Sequence, residues 1–169
     1  MQPNSSIPIR TSAKKSLGTI ILLSALLVGT LDILAAFADF YWSTGKNPLT
    51  IVSKFIASGV LGKEALTGGS SMIVLGLFLH YVIASLFTLF FFFIYPRMPF
   101  LQRNWLLTGL LYGIFIWAMM RFVVVPLSNT PPQKPLQLIG ALKSCGILVC
   151  MIGLPLAFIA SKQIGEKRV

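Results

Sequence analysis

Five side chains of this sequence could do chemistry inside a lipid bilayer: Asp32, Asp39, His80, Arg121 and Lys143. Each lies in a long apolar run, where a charge at the centre of a crossing helix costs on the order of 2.5–3.5 kcal/mol. Asp32 and Asp39 stand seven residues apart and so share nearly one helix face. His80 is the only histidine, and its ring changes charge near neutral pH. Two carboxylates against Arg121 and Lys143 balance in formal charge, with His80 free to be neutral. Such a set can line a polar cavity that binds or conducts a proton, an ion or a small polar solute. The same charges can instead only set helix packing, in a non-catalytic scaffold or accessory subunit.

The elements that must position these residues are helices. Apolar runs cover about 17–41, 71–95, 105–126 and 136–160. At about 1.5 Å per residue each is long enough to cross a hydrocarbon core of about 30 Å. Only 11% of the residues are charged, 56% are hydrophobic, and the mean hydropathy is +0.84. A soluble domain would carry about a quarter charged residues. The fold class expected is therefore all-α: a polytopic membrane protein with four transmembrane helices in a bundle. A shorter amphipathic helix is expected at about 48–62, after a turn at Gly45, Asn47 and Pro48. There Leu49, Val52, Phe55, Ile56 and Val60 recur at helical spacing, while Thr50, Ser53, Lys54 and Ser58 fall elsewhere on the wheel. It is too short to span and is expected to lie at the interface or cap the bundle.

The net charge is +10, from 14 Lys and Arg against 4 Asp and Glu. Most of the bases flank apolar runs, which points to anionic membrane lipids as partners and away from nucleic acid. With four spans both termini fall on one side. That side holds Arg10, Lys14, Lys15, Arg97, Arg103, Lys162, Lys167 and Arg168, against Lys46, Lys54, Lys63 and Lys134 on the other. The excess puts the tails 1–16 and 161–169 in the cytoplasm. Ala36-Phe37-Ala38 loosely fits a leader cleavage site, but the first run continues to interfacial Tyr41 and Trp42, as a retained span does. In this orientation all five ionisable residues fall in the outer half of the membrane, and they are expected to converge there.

Other chemistries find little support. Cys145 and Cys150 lie about 140° apart on a helix and about 7.5 Å along its axis, so they do not bridge readily. There is no CxxC pair, no phosphate-binding glycine loop, no GxSxG elbow and no ligand-spaced metal motif, and one histidine cannot hold a bis-histidine haem. No enzyme, cofactor or metal is expected. Small residues suggest close helix packing: the GxxxG pair Gly109 and Gly113, then Gly140 and Ser144, with Gly146 and Gly153 further on. These faces suit a homo-oligomer or an unidentified membrane-protein partner. Pro155 is expected to bend the last span.

Part of the chain resembles a family. His80, the basic turn with Pro96, Arg97 and Pro99, then Gly109-Leu110-Leu111-Tyr112-Gly113, Pro126-Leu127 and Thr130-Pro131-Pro132 look like the YagU-type proteins. The resemblance covers about Leu75 to Pro132; Asp32 and Asp39 match no pattern of that family. It implies a small bacterial protein of the cytoplasmic (inner) membrane and a compact helical bundle. It marks His80 and the Pro-Pro turn as positions of interest and implies no catalytic role.

Overall fold

Helix formation here follows from the solvent the sequence is written for. In hydrocarbon every backbone N–H and C=O must be paired within the chain, which a helix alone does segment by segment. A computed structural model of the protein describes residues 16–97, 99–132, 135 and 137–165. Among them all regular structure is helical, and four helices are long and apolar enough to cross a membrane: Leu17–Thr44, Ser70–Arg97, Trp105–Leu127 and Leu138–Gln163. These are the first to fourth spans below. Each end lies within three residues of the sequence reading, the largest differences being the extensions of the first span past Tyr41 to Thr44 and of the fourth past Ala160 to Gln163. The tail residues 1–15 and 166–169, with Arg10, Lys14, Lys15, Lys167 and Arg168 among the bases used to orient the chain, and Lys134 lie outside the described residues.

Caps set the helix ends. Ser16 Oγ accepts from the Thr19 N–H at 3.2 Å to start the first span, and Asn104 Oδ1 accepts from Leu106 and Leu107 to start the third. The first span stops at Gly45, whose φ of 67° is left-handed and whose N–H reaches the Tyr41 carbonyl at 2.7 Å. Asn47 and Pro48 then open the short helix Pro48–Leu61, with proline at the position where its missing N–H costs nothing. We call this the inserted helix. It packs on the first half of the second span, burying Ser53, Ala57 and Ser58. A Cβ at Gly76 would overlap the Ser53 carbonyl, so only glycine permits that approach. Its far end is tied to the turn after the third span: Asn129 Nδ2 donates to Val60 O at 2.9 Å and the Asn129 N–H to Gly59 O at 2.9 Å.

The second span packs on the first, the first on the fourth, and the fourth on the third. The GxxxG pair works within the chain. A Cβ at Gly113 would strike the Val149 backbone, one at Gly109 the Leu154 backbone, and one at Gly153 the Gly109 carbonyl. Gly140 is a correction. A Cβ there would meet nothing within 4 Å, and the same holds at Gly146, so neither is a packing position among the described residues. The third and fourth spans each contain one π-helical turn, Met120–Val124 and Val149–Gly153, ending two residues before Pro126 and Pro155. The wider turn lets the chain carry a proline whose ring would clash in a straight helix.

At the end away from the inserted helix the bundle is closed by an aromatic core. Phe91, Phe92, Tyr95, Tyr112 and Ile116 are buried with Val28, Ile152 and Leu156. Tyr112 Oη donates to Phe87 O at 2.6 Å, and the Phe91 and Tyr112 rings lie 4.7 Å apart. The Phe90–Phe93 run thus divides: Phe91 and Phe92 face inward, Phe90 and Phe93 outward.

These contacts order the glycines by consequence. Gly113→Val and Gly153→Ala should each destabilise the folded protein by about 1–3 kcal/mol, the cost of overpacking, whereas Gly140→Ala and Gly146→Ala should stay within about 0.5 kcal/mol of wild type. Unfolding in mixed micelles, followed by circular dichroism over a denaturing-detergent titration, checks this; equal losses at all four positions would contradict the packing described.

Candidate functional site

The five ionisable residues do not form one cluster. Among the described residues their contacts divide them into three groups, which corrects the expected convergence. Helix geometry gives the reason. The seven-residue spacing of Asp32 and Asp39 puts them on one face but about 10 Å apart along the axis, and the first span meets different neighbours at those two heights.

The first group joins the first and second spans near their midpoints. Asp32 and His80 are both half-buried and lie within electrostatic reach of each other. His80 Nε2 is 2.8 Å from the Gly29 carbonyl oxygen. A carbonyl only accepts, so Nε2 carries a hydrogen and Nδ1 is left as the basic nitrogen of the neutral ring. The helices are close at Gly29: a Cβ there would stand 3.1 Å from the Tyr81 ring and 3.3 Å from Ala84 Cβ, so those neighbours would have to give by a few tenths of an ångström. Tyr81 closes the group: its Oη lies 2.9 Å from Thr30 Oγ1, and its ring meets that of His80 edge-on at 5.5 Å. The sequence reading missed Gly29, Thr30 and Tyr81. The adjacency of Tyr81 to His80 was a signal; the carbonyl partner left none.

The second group is an ion pair. Lys143 Nζ lies 2.5 Å from Asp39 Oδ1 and 3.5 Å from Ser43 Oγ, tying the end of the first span to the start of the fourth. The two side chains are 49% and 36% exposed, so the pair sits on the bundle's surface. Both residues are within about two helical turns of their helix ends, where a long lysine reaches headgroup water at little cost.

Arg121 forms the third group. It lies on the π-helical turn Met120–Val124, half-buried, and lines two adjoining clefts of about 620 and 480 Å³. The larger opens between the third and fourth spans, and Gly140 and Ser144 are among the residues that line it, Ser144 also meeting the third span at Trp117. Trp117 Nε1 donates to Ser144 Oγ at 2.9 Å across it, and Ser144 Oγ in turn donates to Ala141 O at 3.1 Å. Trp117 precedes Arg121 by about one helical turn, a pairing legible in the sequence but not read there.

Cys145 and Cys150 are free thiols. Among the described residues no three His, Cys, Asp or Glu side chains come together as metal ligands would. No family model, no curated protein and no solved structure matches the chain. What can be said of the site therefore comes from its own geometry: an imidazole anchored to a neighbouring main chain with a carboxyl group within electrostatic reach, a surface ion pair, and an arginine that lines two clefts.

The exposed pair should couple weakly. A double-mutant cycle of Asp39→Asn and Lys143→Met, read by the same micellar unfolding, should give about 0.2–1 kcal/mol of interaction, as exposed pairs do. A coupling above about 3 kcal/mol would instead mark a pair held in a dry environment.

Proposed function

The chain has the architecture of an integral membrane protein, with four helices able to cross the bilayer. We propose that it is non-catalytic and takes up a proton at the Asp32–His80 pair, coupling that uptake to the contact between its first and second spans. One observation carries the reading: His80 commits Nε2–H to the main chain of the neighbouring span, at Gly29 O, and leaves Nδ1 as a basic nitrogen with Asp32 close by. Protonation at Nδ1 sets an imidazolium within electrostatic reach of Asp32. Deprotonation leaves Asp32 without that partner in a region where a lone charge is expensive. The two states therefore pull differently on the seam at Gly29, Thr30 and Tyr81. An ion or a small polar solute at the same pair is a variant of this reading. The setting proposed is the bacterial inner membrane with both termini cytoplasmic, as the flanking bases and the likeness to the YagU-type proteins suggest.

A second reading has support of its own. The Asp39–Lys143 pair and the Trp117–Ser144 hydrogen bond join span ends without calling for any ligand. On that reading the protein is a scaffold or accessory subunit, and the mid-span pair too only fixes helix register. A homo-oligomer or partner protein would then use a face other than Gly109 and Gly113, whose contacts lie within the chain.

One histidine makes the test clean. In lipid nanodiscs the single imidazole signal in nitrogen NMR should change over a pH scan that spans the ordinary histidine range in the wild type, and its midpoint should move in Asp32→Asn. Tyr81→Phe and Thr30→Val, which loosen the seam without touching either titrating group, should move it less. A ring signal that does not change over that range, or a midpoint indifferent to Asp32→Asn, would leave only the scaffold reading.

A further inference from the structure

The second and third spans meet mainly through aromatic side chains: Phe90 stacks on Phe115 with centroids 5.7 Å apart, and Phe91 tilts against Tyr112. Between these contacts and the inserted helix lie three clefts, each sharing wall residues with the next. The first, of about 480 Å³, is lined by Arg121, Phe122, Ser128 and Thr130 at the inserted-helix end. The second, of about 220 Å³, shares Val125, Ser128 and Thr130 with it and continues past Leu79 to Ile83 and Val124. The third, of about 360 Å³, begins at that same Ile83 and Val124 and runs to Phe90 and Phe115. From Leu79 to Phe90 the path follows the second span for about 16 Å. Its chemistry changes in one direction, from a guanidinium and two hydroxyls at the mouth to aliphatic and aromatic walls within.

We infer that this groove holds an anionic phospholipid, its phosphate against Arg121 at the inserted-helix end and one acyl chain along the fissure between the second and third spans. Charge and shape both favour that occupant. The guanidinium fork matches a phosphate's oxygens, and Arg121 is the one charged residue among the described lining of the three clefts. A free phosphate or a phosphorylated solute would fill only the mouth and leave the apolar fissure to be covered by something else. The apolar stretch suits a hydrocarbon chain, which needs width for a single chain and no hydrogen bonds along its length.

Native mass spectrometry of the detergent-purified protein tests this with phosphatidylglycerol, phosphatidylcholine and soluble glycerol phosphate as probes. Phosphatidylglycerol should be retained about five- to tenfold more tightly than phosphatidylcholine, the scale of one charge-assisted contact. Arg121→Gln should erase that preference, and Arg121→Lys, which keeps the charge without the fork, should hold part of it. Ile83→Trp, which fills the fissure, should weaken retention of both lipids, while Val74→Trp on an exposed face should not. Equal retention of the two lipids by the wild type overturns the proposal, whatever the variants do. So does binding of glycerol phosphate as tight as that of the lipid, which would mean a site for a small anion, and so does a preference that survives in folded Arg121→Gln.

Discussion

Lipid tails are as apolar as leucine, so no hydrophobic force draws one span of this chain to another. The bundle depends instead on backbones coming close enough for dispersion and hydrogen bonds to act, and that happens where a side chain is missing. Gly76 lets the inserted helix settle on the second span. Gly109 and Gly113 let the third span meet the fourth at Val149 and Gly153. Gly29 lets the second span lay Tyr81 against the first. The site at mid-span is a consequence of the last contact. A carbonyl inside a helix is normally fenced by side chains, and His80 reaches the one at Gly29 because the approach is close there and the residue offers no Cβ.

The two prolines shape the rest. Pro155 lies inside the fourth span and Pro126 in the last turn of the third, and in each place a proline removes a hydrogen bond and crowds the preceding turn. Each is preceded by a π-helical turn. The Val125 N–H pairs with Met120 O, and the Leu154 N–H with Val149 O, one residue further back than in an α-helix. An extra residue in one turn rotates the helix beyond it by about 100° relative to the part before. In the fourth span this happens within the contact surface, and it brings Val149 and Gly153 together onto the GxxxG face. In the third span it happens at the residue that matters electrostatically, and it sets Arg121 at the meeting of two clefts.

Much of the architecture was legible from composition and run length. A span of about 20 apolar residues can be little else, and the turn at Gly45, Asn47 and Pro48 announced the inserted helix. The GxxxG pair showed that a close approach existed, without showing that its partner was the chain's own fourth span. Less legible was the order of the helices around the bundle, because all four spans are apolar on every side and none names its neighbour. The expected convergence of five charges failed for that reason. Depth along a helix can be counted from the sequence; azimuth against an unknown neighbour cannot. Gly140 shows the same limit, since a glycine at an interface and a glycine facing a cleft look identical in sequence. The π-helical turns had a signal, a proline within an apolar run, but that signal equally fits a simple bend.

The two acid–base pairs of the first span are separated by depth, and depth gives them different physics. Asp39 and Lys143 sit near helix ends, where lysine reaches headgroup water and a surface ion pair costs little. If fixing helix register were the only need, that pair and the glycine contacts would supply it. The Asp32–His80 pair is carried near the middle of the membrane, where the same chemistry is far more expensive. Nor is it built as the tightest ion pair available, for the imidazole directs one N–H to a backbone carbonyl instead of to the carboxylate. A ring anchored through one nitrogen to the main chain of the neighbouring span keeps a fixed orientation between the two helices, which a flexible lysine at a helix end does not.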